Sequence, residues 1–395
     1  MASEEMNRST GSESNRDTYS FYLTDSSWVA FLQDHGYAVL KGVVSRGDVD
    51  KAKDMIWDDL EGAEGISRVD PTTWTSQNWR LSRTGLVGSL AQSAGPWHLR
   101  GLPAVKEAFS RIWGDDDLCT SMDAAIIWKP WWEQPPGDEG TDWRPMTEGL
   151  HLDQNPFSKP DLDCIQGMIP LLPVDETVGG LQVIPFSHTP KAKEILKKKY
   201  PQLEGVGDWC PVYGRIQDKP PAEPQLLLAD AGDLILWDSR LVHGGVVGTG
   251  RISSQNEEQG CNDVVLESGS GDDALDASVR SIIRVLSENS EDADTITEMG
   301  EALLDLGQKH RRIHEGLSNP DGQCLELARM TCTLAMTPRK WASQEIAQAR
   351  LEGFNDGRSF NHCPHEGGTS TGAVHAVRKP EYRKFTLSKA QRQVL

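Results

Sequence analysis

Two short motifs, each in an apolar setting, constrain this chain more than any other feature. The first reads GLHLDQNP over Gly149–Pro156, and the second reads GDLILWDSRLVHGG over Gly232–Gly245. On a β-strand, residues i and i+2 point to the same face, so His151 and Asp153 can bind one metal ion together. His243, at the end of the second apolar strand, is placed to complete a set of three ligands.

Two imidazoles and one carboxylate on one face of an octahedron leave three coordination positions open. Non-haem Fe(II) oxygenases use this arrangement to bind a co-substrate and O₂ side by side. A His-x-Asp triplet alone is common, and a histidine at a strand end is more often structural. The surrounding sequence therefore has to support the iron hypothesis.

The surrounding sequence has a strong β pattern. Strand-like runs and turns dominate residues 120–247. The segment CIQGMIPLLPVDETVGGLQVIPFSHTP (Cys164–Pro190) contains two apolar runs, a Gly-Gly turn and a final Pro-x-Ser-His turn. AAIIWKPWW (Ala124–Trp132) supplies a further strand that ends at Lys129. These patterns predict a mainly β fold.

Taken in order, the motifs resemble the phytanoyl-CoA dioxygenase-like family of Fe(II)/2-oxoglutarate-dependent oxygenases. The resemblance runs from HGYAVLKGVV (His35–Val44) to LARMTCTLAMTPRKWAS (Leu327–Ser343) and covers roughly two thirds of the chain. It implies a mainly β fold with flanking helices, built on a double-stranded β-helix (jelly-roll, cupin-like) core with a helical insertion. It also implies Fe(II), the co-substrate 2-oxoglutarate and O₂.

The resemblance gives roles to particular residues. His151, Asp153 and His243 become the catalytic iron ligands. Members of the family place an arginine on the strand after the second histidine, where a bidentate fork pairs with the far carboxylate of 2-oxoglutarate. Arg251 lies in a Gly-rich loop, whereas Arg329 lies on a strand-like segment, so we assign the role to Arg329.

Two more residues are candidates for contact with 2-oxoglutarate. Lys129 matches a family lysine that approaches the co-substrate, although a lysine snorkelling at a strand end has the same pattern. Gln166 is expected on the inner face of its strand, where it either binds the co-substrate or a metal-bound group, or has a structural role.

The substrate pocket is expected to be rich in tryptophan, because the chain has 13 Trp against 8 Phe and 6 Tyr. Trp131 and Trp237 are candidates for its wall, where each adds apolar area and one N–H donor. Gln154, beside the aspartate ligand, is a further substrate-binding candidate. For each tryptophan, ordinary core packing is the alternative. Trp131 and Trp132 are adjacent, so on a strand at most one of them can line the site.

The chain is expected to form one enzyme domain with additions. Residues 1–18 are polar and predict a disordered lead. Residues 19–395 then form a single dioxygenase domain, in which 252–322 is an acidic helical insertion. Between Glu257 and Asp305 there are 14 acidic residues and 2 arginines, a balance of −12 within a total of −19. We expect this insertion to act as a lid over the pocket, with an oligomerisation arm as the rival interpretation.

Charge and composition exclude several functions. The acidic surface disfavours nucleic acid as a partner, and with it a demethylase acting on histones or nucleic acid. No apolar run is long enough for a membrane span, and the N-terminal residues lack the apolar region of a signal peptide. Seven cysteines without a Cys-x-x-Cys motif indicate a reducing, cytoplasmic location.

HCPH at His362–His365 imitates a metal site, but it lies in a tail where we expect no further ligands, which favours a chance occurrence. The oligomeric state is open.

The sequence thus predicts an oxygenase that oxidises a C–H bond of a small molecule by hydroxylation, desaturation or oxidative cyclisation, with release of succinate and CO₂. The alternative is a jelly-roll protein that binds a metal or ligand without turnover. Arg329 favours the enzyme, because a metal-binding protein needs no cation for a co-substrate carboxylate. The resemblance does not imply that the substrate is an acyl-CoA.

Overall fold

A computed structural model describes residues 15–79, 82–133, 140–214, 218–251, 325–367 and 376–395. The strands are β1 Ser20–Tyr22, β2 Tyr37–Lys41, β3 Leu86–Val87, β4 Leu118–Thr120, β5 Ala125–Trp128, β6 His151–Leu152, β7 Ile165–Pro170, β8 Gly179–Val183, β9 Cys210–Pro211, β10 Gln225–Leu226, β11 Leu234–Asp238, β12 His243–Val247 and β13 Arg329–Pro338. The α-helices are α1 Trp28–His35, α2 Arg46–Glu64, α3 Ala94–Arg100, α4 Pro103–Trp113, α5 Pro190–Lys199, α6 Gln344–Asn355 and α7 Lys389–Val394.

The strands form two sheets. The larger has the order β1-β2-β11-β7-β13-β5-β3, with β4 also paired to β13, and the smaller has the order β10-β8-β12-β6-β9. Apart from the parallel pair β1-β2, the described neighbours are antiparallel. The non-sequential order of two mainly antiparallel sheets is that of a jelly roll, so the predicted fold class is confirmed.

The outer face of the larger sheet packs on helices. Along β13, alternate residues point to this face, where they join a buried cluster with Ile56 of α2, Trp97 of α3 and Phe109 of α4. The β13 members of that cluster are Met330, Cys332, Leu334 and Met336. Because side chains alternate along a strand, Arg329, Thr331, Thr333 and Ala335 point to the opposite, inner face.

The space between the two sheets holds a second core. Val39 of β2, Met168 of β7 and Ile235 of β11 pack there against Leu181 and Val183 of β8. These residues form an apolar layer that surrounds the polar side chains of the inner face.

Flanking helices, which the resemblance implies, are present as α1, α2 and α4 near the N-terminus. Ser45 caps α2 by accepting a hydrogen bond from the Asp48 amide, and Gly65 ends the helix in the left-handed region at φ +67°. Helix α6 follows β13 on the C-terminal side of the larger sheet's last strand in sequence. None of the helices that the structure describes is long and apolar enough to cross a membrane.

The last residues of the lead predicted as disordered, 1–18, are folded in the structure. Asn15–Thr18 forms a short 3₁₀ turn. Arg16 fastens it to the sheet through ion pairs with Asp230 at 2.8 Å and with Asp233 at 2.7 Å. The polar sequence of this segment does not predict such long-range contacts. Residues 1–14 and the predicted insertion at 252–322 lie outside the described residues.

Candidate metal centre

The two motif histidines face each other across the smaller sheet. His151 begins β6, His243 begins β12, and the antiparallel register pairs them directly. Their ring centroids are 4.6 Å apart. Asp153 Oδ2 lies 3.2 Å from His243 Nε2, and Asp153 Oδ1 lies 3.6 Å from His151 Nε2. One ligand atom from each of the three residues lies within 4.8 Å of the others, which is a spacing that one metal ion can bridge.

The glycine after His243 allows this close approach. A Cβ atom at Gly244 would lie 2.2 Å from the Gly149 carbonyl oxygen, which is closer than any side chain can sit. The His-Gly-Gly sequence therefore lets β12 come close enough to the segment before β6 for the two histidines to share a metal.

Backbone hydrogen bonds fix the orientation of both imidazoles. His151 Nδ1 lies 2.9 Å from the Gly149 carbonyl oxygen, and His243 Nδ1 lies 2.8 Å from the Leu241 carbonyl oxygen. If each Nδ1 donates a proton to its carbonyl, each Nε2 has its lone pair free on the side of Asp153. Metal-binding histidines commonly have this second contact, which sets the tautomer.

The charge states of the ligands suit a divalent cation. Burial lowers the pKa of His151, which favours the neutral imidazole, against an opposing effect of the Asp153 charge. Burial would raise the pKa of Asp153, but the neighbouring His151 and His243 hold it well below its usual range. Metal ligation requires this neutral imidazole and this ionised carboxylate.

Gln166 and Trp237, both predicted site residues, lie beside the three ligands. Gln166 Nε2 donates a hydrogen bond of 2.9 Å to Asp153 Oδ2. Trp237 pairs with Gln166 across β11 and β7, and its ring centroid is 5.5 Å from that of His243. The inner face of the larger sheet therefore supplies contacts to the metal-binding residues of the smaller sheet.

Arg329 is a buried cation on the same inner face. Its guanidinium lies 4.4 Å from the ring centroid of Trp128 and 3.6 Å from Met168 Sδ. Its Nε has no hydrogen-bond partner, and no carboxylate of the described ranges forms an ion pair with it. Burial lowers the pKa of Arg329 to about 10. A buried guanidinium that has no carboxylate partner among the described residues and a free Nε donor is a site for an anion.

The inner face offers further unused polar atoms for such an anion. Thr331 Oγ1 and Trp237 Nε1 are buried without partners among the residues described. Met168, which contacts Arg329, is two residues from Gln166 on β7, about 7 Å along the strand. The residues present therefore fit a short dicarboxylate that reaches from the metal ligands to Arg329.

Three predicted site residues lie elsewhere. Lys129 Nζ donates to the Trp74 carbonyl oxygen and lies 3.9 Å from the Trp143 ring centroid, on the helix-covered side of the larger sheet. Trp128, not Lys129, is the residue of this strand that pairs with Arg329, so contact of Lys129 with the co-substrate stays a prediction.

Gln154 and Trp131 are the other two. The amide of Gln154 donates to the carbonyl oxygens of Lys159 and Asp161 and thus holds the loop after the aspartate ligand. Trp131 lies in a turn, where its ring packs on Trp128 and not on the metal ligands.

A second group of possible ligands lies nearby, formed by Asp163, Cys363, His365 and Glu366. Lys159 already supplies a cation to this group, with ion pairs to Glu366 and, at 2.6 Å, to Asp208. Burial alone lowers the pKa of His365, but hydrogen bonds to Asp163 and Cys363 raise it to about 9. A protonated imidazole has no lone pair for a metal, so we interpret this group as an ion-pair network. The expectation that the HCPH tail has no partners is wrong.

Several residues near the ligands and Arg329 were not among the predicted site residues. Thr331 was detectable, since it follows Arg329 by two residues on the same face. Glu148 lies near Asp153, and its pKa is raised by desolvation and by the Asp153 charge. Trp209, whose ring centroid is 6.0 Å from that of His151, comes just before a strand of two residues that gives no sequence signal.

Comparison with known sequences identifies the family of the chain. The sequence model of the family described as phytanoyl-CoA dioxygenase matches residues 32–247, more than half of the chain. "Ava biosynthesis cluster protein O" of Aspergillus versicolor is 28% identical over 242 residues, which cover 55% of this chain and 70% of that protein. A "Putative phytanoyl-CoA dioxygenase" of Dictyostelium discoideum is 22% identical over 254 residues, covering 55% and 69%.

A solved structure of the epimerase SnoN, in complex with Fe3+, alpha ketoglutarate and nogalamycin RO, is similar with a TM-score of 0.36 and 18% identity, over 57% of this chain and 77% of that one. The family match defines the class of this protein as an iron- and 2-oxoglutarate-dependent oxidoreductase with a jelly-roll core. The chain belongs to the phytanoyl-CoA dioxygenase family. The family match ends at Val247 and so does not include Arg329.

Proposed function

We propose that this enzyme oxidises a C–H bond of a small-molecule metabolite, by hydroxylation, desaturation or oxidative cyclisation, and releases succinate and CO₂ from 2-oxoglutarate. The observation on which this depends is the buried, unpaired guanidinium of Arg329 on the inner face that also carries Gln166. A buried guanidinium without a carboxylate partner favours an anion at this place, and 2-oxoglutarate carries a second carboxylate that can pair with it.

Each residue has a defined part in this proposal. His151, Asp153 and His243 hold Fe(II), and Gln166 orients the Asp153 carboxylate. Arg329 binds the far carboxylate of 2-oxoglutarate. When bound, iron and 2-oxoglutarate supply the oxidising power that removes hydrogen from an unactivated C–H bond. The apolar core between the sheets excludes water from the reacting atoms.

A non-catalytic metal-binding protein is the weaker alternative. Such a protein requires the three ligands but no buried cation, and burying an unpaired guanidinium costs several kcal/mol. Arg329 therefore supports turnover of a dicarboxylate co-substrate.

The nature of the substrate is proposed from the chain and one relative. The name of the Aspergillus versicolor relative, which refers to a biosynthesis cluster, supports a small organic metabolite. The acidic sequence argues against nucleic acid as a partner, and the scattered cysteines support a cytoplasmic location. We also propose that residues 19–395 act as one domain, because β2 and β13 belong to the same sheet.

The proposal is tested by succinate release. Full-length protein is loaded with Fe(II) under anaerobic conditions, mixed with 2-oxoglutarate, and exposed to O₂ with and without candidate metabolites. We expect slow release alone and faster release with a substrate. No succinate above the level of a His151→Ala/His243→Ala double variant would contradict the proposal.

A further inference from the structure

Trp209 is a large apolar side chain that stays 50% exposed although it lies beside a proposed iron ligand. The antiparallel pairing of β9 with β6 places Pro211 opposite His151 and Cys210 opposite Leu152. Continued by one residue, this register places Trp209 opposite Asp153. Residues opposite each other share a face of the sheet, so Trp209 lies on the face that carries both ligands.

The position of Trp209 is fixed by buried contacts. The fully buried Asn155 donates from Nδ2 to the carbonyl oxygens of Leu203, Val206 and Gly207. Lys159 pairs with Asp208, the residue before Trp209. The loop that carries the indole is thereby fastened to the loop that follows the aspartate ligand, and an exposed aromatic ring is held at the metal centre.

The indole also has an N–H group and ring surface that are not used in contacts with the described residues. Its N–H has no hydrogen-bond partner among the described residues, and half of its surface is open. Val206, 47% exposed, adds apolar area to the same loop. A fixed aromatic face of this kind favours a flat ring over a flexible chain, because stacking adds to the gain from apolar burial.

We propose that Trp209 is a substrate-contact residue whose indole face stacks on a flat aromatic or unsaturated ring of the substrate. The inference rests on the proposed function and makes it more specific, because it gives the substrate class as a small molecule with a planar ring. Stacking holds the substrate beside His151 without using a coordination position of the iron.

The test compares a flat probe with its saturated analogue. Binding of 2-naphthol and of decahydro-2-naphthol is measured by calorimetry on full-length protein under anaerobic conditions, after addition of Fe(II) and 2-oxoglutarate. The variants are Trp209→Leu, Trp209→Phe and the control Trp341→Leu. Trp341 is 41% exposed, and its recorded ring contacts are with Trp113 and His365.

We expect the wild type to prefer 2-naphthol, and Trp209→Leu to lose about three- to tenfold of that preference, the range given by stacking of aromatic pairs. Trp209→Phe should keep most of it, and Trp341→Leu all of it. An equal preference in wild type and Trp209→Leu, or no binding of 2-naphthol at millimolar concentration, would overturn the inference.

The same samples separate this inference from the proposed function. The visible charge-transfer band of the Fe(II)/2-oxoglutarate complex is recorded before each titration. A band together with an unchanged preference overturns the role of Trp209 alone. A missing band with a preference that depends on Trp209 contradicts the proposed function and supports the aromatic site.

Discussion

Gln166 donates a hydrogen bond to the same Asp153 oxygen that lies 3.2 Å from His243 Nε2. Gln166 belongs to the larger sheet, whereas His243 belongs to the smaller one. The carboxylate is therefore held by both sheets at once. This contact makes the metal centre sensitive to how the two sheets are packed together.

Removing this contact should weaken iron binding without removing a ligand. Gln166→Leu frees the carboxylate to rotate, and loss of such an orienting partner typically costs about 10- to 100-fold in metal affinity or activity. Anaerobic Fe(II) titration measures the effect. Gln182→Leu is the matched control, since the Gln182 amide lies 3.5 Å from the Gly245 carbonyl oxygen and has no recorded contact with a proposed ligand. Equal iron affinity of Gln166→Leu and wild type would contradict the role of Gln166.

Replacing the carboxylate ligand should stop catalysis. Asp153→Ala leaves two imidazoles, so iron binding can survive in weakened form, but succinate formation should fall to background. The assay is substrate-stimulated succinate release, with iron content measured on the same sample. Normal turnover by Asp153→Ala would show that the assignment of the three ligands is wrong.

The two arginines should differ in their effect on 2-oxoglutarate. Arg329→Met removes the partner of a buried carboxylate, a loss on the order of 3–5 kcal/mol, which weakens 2-oxoglutarate binding by at least about a hundredfold. The same substitution removes an unpaired buried charge, so the ligand-free variant should melt at the same or a higher temperature than wild type.

Melting curves with and without 2-oxoglutarate measure both effects. Arg251→Ala should respond to 2-oxoglutarate like wild type, because Arg251 is exposed and its contacts within the described residues are with Asp175, Thr177 and Trp132. A larger loss of 2-oxoglutarate binding in Arg251→Ala than in Arg329→Met would reverse the assignment.

The His365–Asp163 contact should make stability depend on pH. The pKa of His365 is raised to about 9, so its protonated form stabilises the fold fully below about pH 6.5, and this contribution is lost as the pH rises to about 9. Urea unfolding should show His365→Gln less stable than wild type near pH 6, by on the order of 1–3 kcal/mol, with a small difference near pH 9.5. Asp163→Asn should behave in the same way. A difference that does not change with pH would show that the imidazole is neutral.

The part of the site that the sequence predicted is the part set by local geometry. His151 and Asp153 follow strand periodicity, and Arg329 lies on a ten-residue strand with a clear apolar pattern. The face on which Lys129 lies could not be predicted, because the inward face of a short strand depends on its partner, here the pairing of Trp128 with Arg329.

Other misses have the same cause. Trp209 precedes a two-residue strand whose pairing with β6 comes from distant contacts. Arg16 and His365 are fixed by ion pairs across 217 and 202 residues. No local pattern in the sequence encodes such contacts. The apolar strand pattern predicted a mainly β fold, and the resemblance of the ordered motifs to a known family implied the jelly roll.

The central claim is that His151, Asp153 and His243 hold an iron to which 2-oxoglutarate binds. The most direct measurement is the visible absorption spectrum of the full-length protein when 2-oxoglutarate is added to its Fe(II) form under anaerobic conditions. We predict a weak charge-transfer band in the wild type and none in the His151→Ala/His243→Ala variant. No band in the wild type, or the same band in both proteins, would contradict the assignment.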